Sequence, residues 1–196
     1  MSKINNDNKT SKKNSFMKAL IEQIELVVIV FAVIVLMFSF AARICQVSGD
    51  SMKDTLYNGE NAVVSDLFYT PKRGDVVVFH QTGENNGDYN EPIVKRVIGV
   101  EGDTVKVEHL RNKMIVTVID SNGKSTVLEE NYIRYEYPTY ADSTTYVEEG
   151  TVFVLGDNRS DSSDSRSAKI GLVDTRRILG RVVVRVTPFS RFGAVD

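Results

Sequence analysis

Hydrophobic and polar positions divide the chain into three parts. Residues 1–15 are rich in Asn, Lys and Ser and hold almost nothing to bury, which predicts a disordered tail. Residues 26–42 form a continuous apolar run in which Ser39 is the only polar side chain. After this run, short stretches rich in β-branched residues alternate with Gly, Asn and Asp, which predicts a mostly β domain.

The apolar run has the length of a membrane-spanning helix. Its 17 residues reach the lower end of the roughly 17–25 that cross a bilayer, whereas a buried strand has about 4–8. A cleaved secretory signal is the alternative, but its apolar region is about 7–15 residues long. We therefore predict a retained transmembrane helix over residues 23–43 after a cytoplasmic tail of residues 1–22.

Charge is distributed unevenly along the chain. Residues 1–25 hold five lysines against three acidic residues, so the remainder carries −4 within a total of −2. Since basic residues accumulate on the cytoplasmic side of membrane helices, we predict a cytoplasmic N-terminus and an extracytoplasmic domain over residues 44–196, at the plasma membrane. The acidic body argues against a nucleic-acid partner. The oligomeric state is unknown from sequence.

Six apolar runs within residues 44–196 predict strands of a β-sheet domain. A short polar link separates residues 104–110 from residues 114–120, which predicts a hairpin. Asn122 and Gly123 favour a further tight turn because both tolerate positive φ. The predicted strands are 75–79, 93–98, 104–110, 114–120, 151–155 and 181–187.

Cysteine and histidine usage excludes several classes of site. The single Cys45 rules out an internal disulfide framework, and with only His80 and His109 it forms no cluster with metal-ligand spacing. We expect no metal and no cofactor, and the histidines give no support for a Ser-His-Asp triad. The tyrosine-rich residues 132–146 could form a sugar or partner surface, but such tyrosines are more often half-buried strand residues with a solvated hydroxyl.

Three polar segments that contain glycine lie beside the predicted strands. They are residues 48–56 (SGDSMKDTL), 95–103 (KRVIGVEGD) and 156–166 (GDNRSDSSDSR). Each alone is compatible with an ordinary turn, a solvated strand or a polar loop. In this order behind an apolar anchor, and with RGDVVVF at residues 73–79, they resemble the type I signal peptidases, the serine proteases of bacterial protein export. The resemblance extends to about residue 187 and is weakest over residues 104–150.

The resemblance implies a mostly β catalytic domain of coiled, antiparallel sheets and a serine–lysine dyad. Ser51 would be the nucleophile and Lys95 the general base, which must be neutral and therefore buried in an apolar pocket. Ser162 would orient the Lys95 amine. The Ser51 N–H would hold the oxyanion, and the second donor at Gly49 is absent or supplied by the main chain. The implied supporting residues are Met52, Arg96, Gly156, Asp157, Arg159, Asp164 and Arg166, with ion pairs expected for Arg96 with Asp157 and for Asp164 with Arg166.

The implied partners are the lipid bilayer and the signal peptides of exported preproteins, bound as an extended strand with small residues at −1 and −3. One position departs from the family pattern Ser-Met-x-Pro-Thr-Leu, since Asp54 stands in place of its proline. This change removes a fixed φ and adds a negative charge. The alternatives are a catalytically weak or substrate-dedicated relative, a soluble self-cleaving repressor-type Ser-Lys protease, and an anchored surface protein that binds sugar or a partner.

Overall fold

The computed structural model describes residues 17–18, 20–36, 42–80, 92–110, 113–133 and 141–195. The chain divides into two compact units, Met1–Ala41 and Ala42–Asp196. In the first unit, residues 17–18 and 20–36 are helical, and their described side chains are exposed. Within the described ranges, no helix has both the length and the apolar composition that a bilayer crossing requires. Residues 1–16 of the predicted tail and residues 37–41 of the predicted transmembrane segment lie outside the described residues.

The predicted transmembrane segment, residues 23–43, extends too far toward the C-terminus. Ala42 and Arg43 belong to a strand and lie opposite Ser65 and Val64 of the neighbouring strand. Apolar composition alone could not locate this boundary. It is decided by the partner strand, which gives the backbone N–H and C=O groups of this segment their hydrogen bonds.

The second unit is built from short β-strands. Two single turns of 3-10 helix, Thr175–Arg177 and Phe189–Arg191, also occur among its described residues. The described strands are β1 (Ala42–Gln46), β2 (Asn61–Ser65), β3 (Val76–Phe79), β4 (Ile93–Val100), β5 (Thr104–Leu110), β6 (Lys113–Ile119), β7 (Ser125–Val127), β8 (Ser143–Tyr146), β9 (Thr151–Leu155), β10 (Val173–Asp174), β11 (Ile178–Thr187) and β12 (Gly193–Ala194).

The described strands form two antiparallel sheets. The larger sheet has the order β1-β2-β11-β3-β4-β9-β10, with β12 paired to β11, and the smaller has the order β7-β6-β5-β8. Register shifts occur where β11 pairs with β2 and β3 and where β4 pairs with β9. Irregularities of this kind bend a strand and increase its twist, so the larger sheet curls. The prediction of a mostly β fold with curled antiparallel sheets is confirmed.

The middle of the larger sheet is covered on both faces. All four residues of β3 are buried, because apolar side chains pack against this sheet from both sides. One apolar cluster contains Met52 and Leu56, which follow β1, together with residues from β2, β3 and β11. A second cluster joins β3, β4 and β9 on the other face. The strands that position the site therefore lie in the closely packed middle of the sheet.

The six predicted strands are all present, although their ends differ in places. The predictions for β5 and β9 match at both ends, whereas β11 begins at Ile178, three residues earlier than expected. The β5–β6 hairpin is confirmed, with Leu110 opposite Lys113. The turn at Gly123 is also confirmed, since this residue has φ +80° between β6 and β7. The sequence pattern missed β1, β2, β7, β8, β10 and β12, which are short or mixed in polarity.

Candidate active site

Ser51 lies in a turn that begins five residues after β1 ends. In this turn the carbonyl of Met52 accepts from the N–H groups of Thr55 at 3.1 Å and Leu56 at 2.8 Å. The side chains of Met52 and Leu56 are fully buried in the apolar cluster below, whereas Ser51 stays partly exposed. Two buried side chains thus anchor the turn and present the serine hydroxyl at the surface, with Met52 packed beneath the site as predicted.

Lys95 occupies the middle of β4, opposite Val77 of β3. It is only 2% exposed. Its Nζ donates to Ser51 Oγ at 2.6 Å and to the carbonyl of Val94 at 3.0 Å. The curled sheet therefore brings together two residues that are 44 positions apart, at the distance across which a base can take a proton from a nucleophile.

The surroundings of Lys95 favour its neutral form. Burial lowers its pKa to about 8, and the attraction of Asp164 and Asp157 for the ammonium opposes this shift only in part, while Arg166 adds to it. At a pKa of about 8, about a tenth of the amine is neutral at pH 7, against about 0.03% for a lysine with the ordinary value. An amine with this pKa is partly neutral near pH 7, which is the state that the predicted base must have.

Gly156 lies where the turn of residues 51–56, called the nucleophile turn after the predicted role of Ser51, meets the loop after β9. A Cβ built on Gly156 would lie 2.2 Å from Ser162 Oγ and 2.6 Å from the main-chain oxygen of Ser51. These distances leave no room for a side chain, so the glycine permits close approach of the two segments. Asn158 strengthens the contact, because its N–H donates to the same Ser51 oxygen at 3.0 Å. Ser162 is buried here, and its orienting role toward Lys95 stays a prediction.

The predicted ion pair between Arg96 and Asp157 is present and buried. Arg96 Nε donates to Asp157 Oδ1 at 2.9 Å and Nη2 to Oδ2 at 2.8 Å, while Nη1 donates to the carbonyl of Gly74 at 2.7 Å. Asp157 also accepts from the Thr55 hydroxyl at 2.5 Å. A bidentate pair with further partners satisfies both buried charges. It links β4 and the loop after β9 to the nucleophile turn.

The second predicted pair, Asp164 with Arg166, is also present. Arg166 donates to Asp164 through Nε and Nη2, both at 2.8 Å, and Asp164 Oδ2 accepts from the N–H of Gly156 at 3.1 Å. Arg166 Nη2 also donates to the carbonyl of Arg159 at 3.0 Å. These bonds hold both ends of the loop, and the main chain of the loop contacts Ser51 through the Asn158 N–H.

Two residues near this loop were not predicted from the sequence to belong to the site. Glu130 pairs with Arg159, and its Oε1 accepts from the Tyr132 hydroxyl at 2.8 Å. The Tyr132 ring stacks on the Arg96 guanidinium at 4.1 Å, and burial together with Glu130 raises the tyrosine's pKa. Tyr132 is half-buried as expected, but its hydroxyl bonds to protein. Both residues come from the segment that matches the family pattern least, and nothing in their sequence context indicated a role at the site. Tyr135, Tyr137 and Tyr140 lie outside the described residues.

Gly49 lies two positions before Ser51 and has φ +84°. Its N–H donates to Asn58 Oδ1 at 3.1 Å. A main-chain oxyanion donor at Gly49 would have to give up this hydrogen bond. The Ser51 N–H is the other predicted donor.

Comparison with known proteins decides the family. The family model described as "Signal peptidase, peptidase S26" matches residues 20–187. The chain belongs to this family. The resemblance drawn from the three polar segments is thus confirmed, and Ser51, Lys95 and the loop at 156–166 all lie inside the matched region of this signal peptidase homologue.

Curated relatives cover most of the chain. "Signal peptidase I" of Leptolyngbya laminosa is 37% identical over 161 residues, which span 79% of this chain and 73% of the relative. "Signal peptidase IB" of Staphylococcus aureus (strain Mu50 / ATCC 700699) is 34% identical over 195 residues, which span 89% of this chain and 93% of the relative. The family member described here is therefore similar in sequence to these relatives over most of its length.

Proposed function

We propose that this family member is a serine endopeptidase that removes signal peptides from exported preproteins. The observation that carries the proposal is the 2.6 Å contact between Lys95 Nζ and Ser51 Oγ, with the lysine buried and its pKa lowered to about 8. A serine hydroxyl is a weak nucleophile without a neighbouring base. A neutral buried amine supplies that base without histidine.

The reaction follows from these two groups. Neutral Lys95 accepts the Ser51 proton as Oγ bonds to the scissile carbonyl carbon, and the resulting oxyanion is held by the Ser51 N–H. When the tetrahedral species collapses, the carbon–nitrogen bond breaks and Lys95 returns the proton to the leaving amine. Lys95 then takes a proton from water as the water oxygen bonds to the acyl carbon. The bond between that carbon and Ser51 Oγ breaks, and Lys95 returns the proton to Oγ, which restores the hydroxyl and the neutral amine. Ser162 orients the amine throughout.

The substrate class comes from the family and from the arrangement of strands. The relatives are signal peptidases by name, and β1, which leads into the nucleophile turn, pairs with β2 and lies at the edge of the described sheet. A signal peptide would bind as an extended strand against a sheet edge, through main-chain hydrogen bonds. Shallow pockets would then select small residues at −1 and −3.

Cleavage of a purified preprotein tests this function. The full chain in detergent should cut a preprotein that has alanine at −1 and −3, and N-terminal sequencing of the product should place the cut after −1. A matched preprotein with phenylalanine at −1 should be cut about 100-fold more slowly, because a shallow pocket excludes the larger ring. Equal cutting of both preproteins would contradict the specificity, and no cutting of either would contradict the function.

We further propose that the N-terminal unit anchors this peptidase in the plasma membrane, with the second unit extracytoplasmic. The support is a helix over residues 20–36 whose large apolar side chains are exposed, Phe31 by 67% for example. Residues 26–36 of this helix are apolar throughout, and a helical stretch that is apolar all round is typical of a lipid environment. We expect the chain to sediment with membranes and to resist extraction at alkaline pH. Protease added outside intact cells should digest the second unit, and protection of that unit would contradict the orientation.

A further inference from the structure

The segment after β11 returns to the nucleophile turn. Arg191, in the 3-10 turn Phe189–Arg191, lies beyond residues 20–187 that the family model matches. Its Nη2 donates to the main-chain oxygen of Asp54 at 3.2 Å, three residues after Ser51. Its Nη1 donates to the buried Glu60 at 2.6 Å, and its guanidinium stacks on the Tyr57 ring at 4.1 Å. One arginine thus joins three groups of the turn region.

Arg185 of β11 makes the adjacent contact. Its Nη1 donates to the carbonyl of Thr55 at 2.7 Å, and its Nε donates to the carbonyl of Arg191 at 2.5 Å. Two arginines of the C-terminal segment therefore cover two successive carbonyl groups, those of Asp54 and Thr55. Hydrogen bonds from charged donors are about twice as strong as neutral ones, so the two arginines hold the main chain of the turn in place.

The locked turn has an unusual backbone conformation. Asp54 has φ +83°, a left-handed value that is uncommon for residues other than glycine. Such a conformation persists only where its surroundings hold it. The Tyr57 hydroxyl donates to Asp54 Oδ1 at 3.1 Å, which adds to the arginine contacts. Proline, which the family pattern has here, is fixed near φ −65° and cannot adopt this value.

We propose that Arg191, together with Arg185, is a positioning residue that holds the left-handed turn at Asp54 and so keeps Ser51 in contact with Lys95. The pair takes over the rigidity that a proline supplies in the family pattern. The inference rests on the proposed peptidase function, because its effect on rate acts through Ser51. Its effect on the turn itself does not depend on cleavage.

Two substitutions at Arg191 separate positioning from stability. R191A leaves the buried Glu60 without its cation and should lower both Tm and kcat. R191K keeps a cation beside Glu60, but a lysine amine cannot bond Glu60 and the Asp54 oxygen together as the planar guanidinium does. R191K should therefore restore Tm, whereas its kcat should stay about 10-fold below wild type. KM should change by less than about twofold in both variants, since Arg191 contacts residues of the turn region and has no contact with substrate in the proposed mechanism. The control is R176A, because Arg176 pairs with Asp174 on the surface, and its kcat should equal wild type.

Two substitutions at Asp54 test the backbone conformation. D54N should keep kcat within about twofold of wild type, because asparagine tolerates positive φ and its Oδ1 can still accept from the Tyr57 hydroxyl, whereas D54P should reduce kcat by about 100-fold. Hydrogen exchange in the full chain gives a readout without substrate: the amides of Thr55 and Leu56 should exchange faster in R191K than in R176A. Wild-type kcat in R191K, or an active D54P, would overturn the proposal. If the wild type cleaves no preprotein but the amides of Thr55 and Leu56 exchange faster in R191K, the result would contradict the peptidase function and leave the role of Arg191 in the turn supported.

Discussion

Replacing Lys95 with methionine, or Ser51 with alanine, should abolish cleavage while the fold persists. Lys95 Nζ is 2.6 Å from Ser51 Oγ, and either change removes one partner of the proton transfer that the proposed mechanism requires. Residues that act as such a unit lose about 10⁴-fold or more in kcat when one is removed. The measurement is single-turnover cleavage of a preprotein with alanine at −1 and −3, and wild-type rates in either variant would overturn the dyad.

Methionine is the matched replacement because it fills the pocket of Lys95 without a charge. The pKa of Lys95 is lowered to about 8 in the folded chain. Below pH 8 the buried ammonium therefore reduces the free energy of unfolding by about 3 kcal/mol. This cost disappears as pH rises from 8 toward the ordinary lysine value. K95M should therefore raise Tm at pH 7, and the gain should shrink above pH 8. The wild-type kcat/KM should rise with pH through about 8, as the neutral amine accumulates. K95M should show no such rise.

Replacing Gly156 with alanine should reduce kcat by about 100-fold, through geometry alone. The added methyl group would lie 2.6 Å from the main-chain oxygen of Ser51 and 2.2 Å from Ser162 Oγ. Backbone cannot yield as a flexible side chain does, so the nucleophile turn must move away from the loop after β9. A displacement of about 1 Å is enough for a loss of this size.

The control for this prediction is Gly193→Ala. Gly193 has open space where its Cβ would lie and no positive φ. Its alanine variant should cleave at the wild-type rate. An active Gly156→Ala enzyme, with kcat within about threefold of wild type, would show that the contact between turn and loop does not position Ser51.

Local sequence pattern predicted the strands that contain several apolar residues. The run at 75–79 and the run at 151–155 correspond to β3 and β9, whose residues are almost all buried. Strands that depend on their partners were missed. β1 has only partly buried or exposed residues. Ala42, the last residue of the apolar run, nevertheless belongs to this strand because it pairs with β2. Hydrogen bonds to a distant strand are not visible in a local pattern.

The candidate site divides in the same way. Ser51, Lys95 and the loop residues stood out because their types and order match a family pattern, and both predicted ion pairs are present. Glu130, Tyr132 and Arg191 carried no comparable signal. They become relevant only because the fold brings them against the loop or the turn, and one of them lies beyond the matched region.

The sequence by itself determined which side chains are present for chemistry and which strands have enough apolar residues to form a core. Tertiary structure alone decided the 2.6 Å contact between Lys95 and Ser51, the lowered pKa and the left-handed backbone at Asp54. The physical reason is that residue type is a local property, whereas distance, desolvation and backbone strain arise when segments remote in the chain pack together.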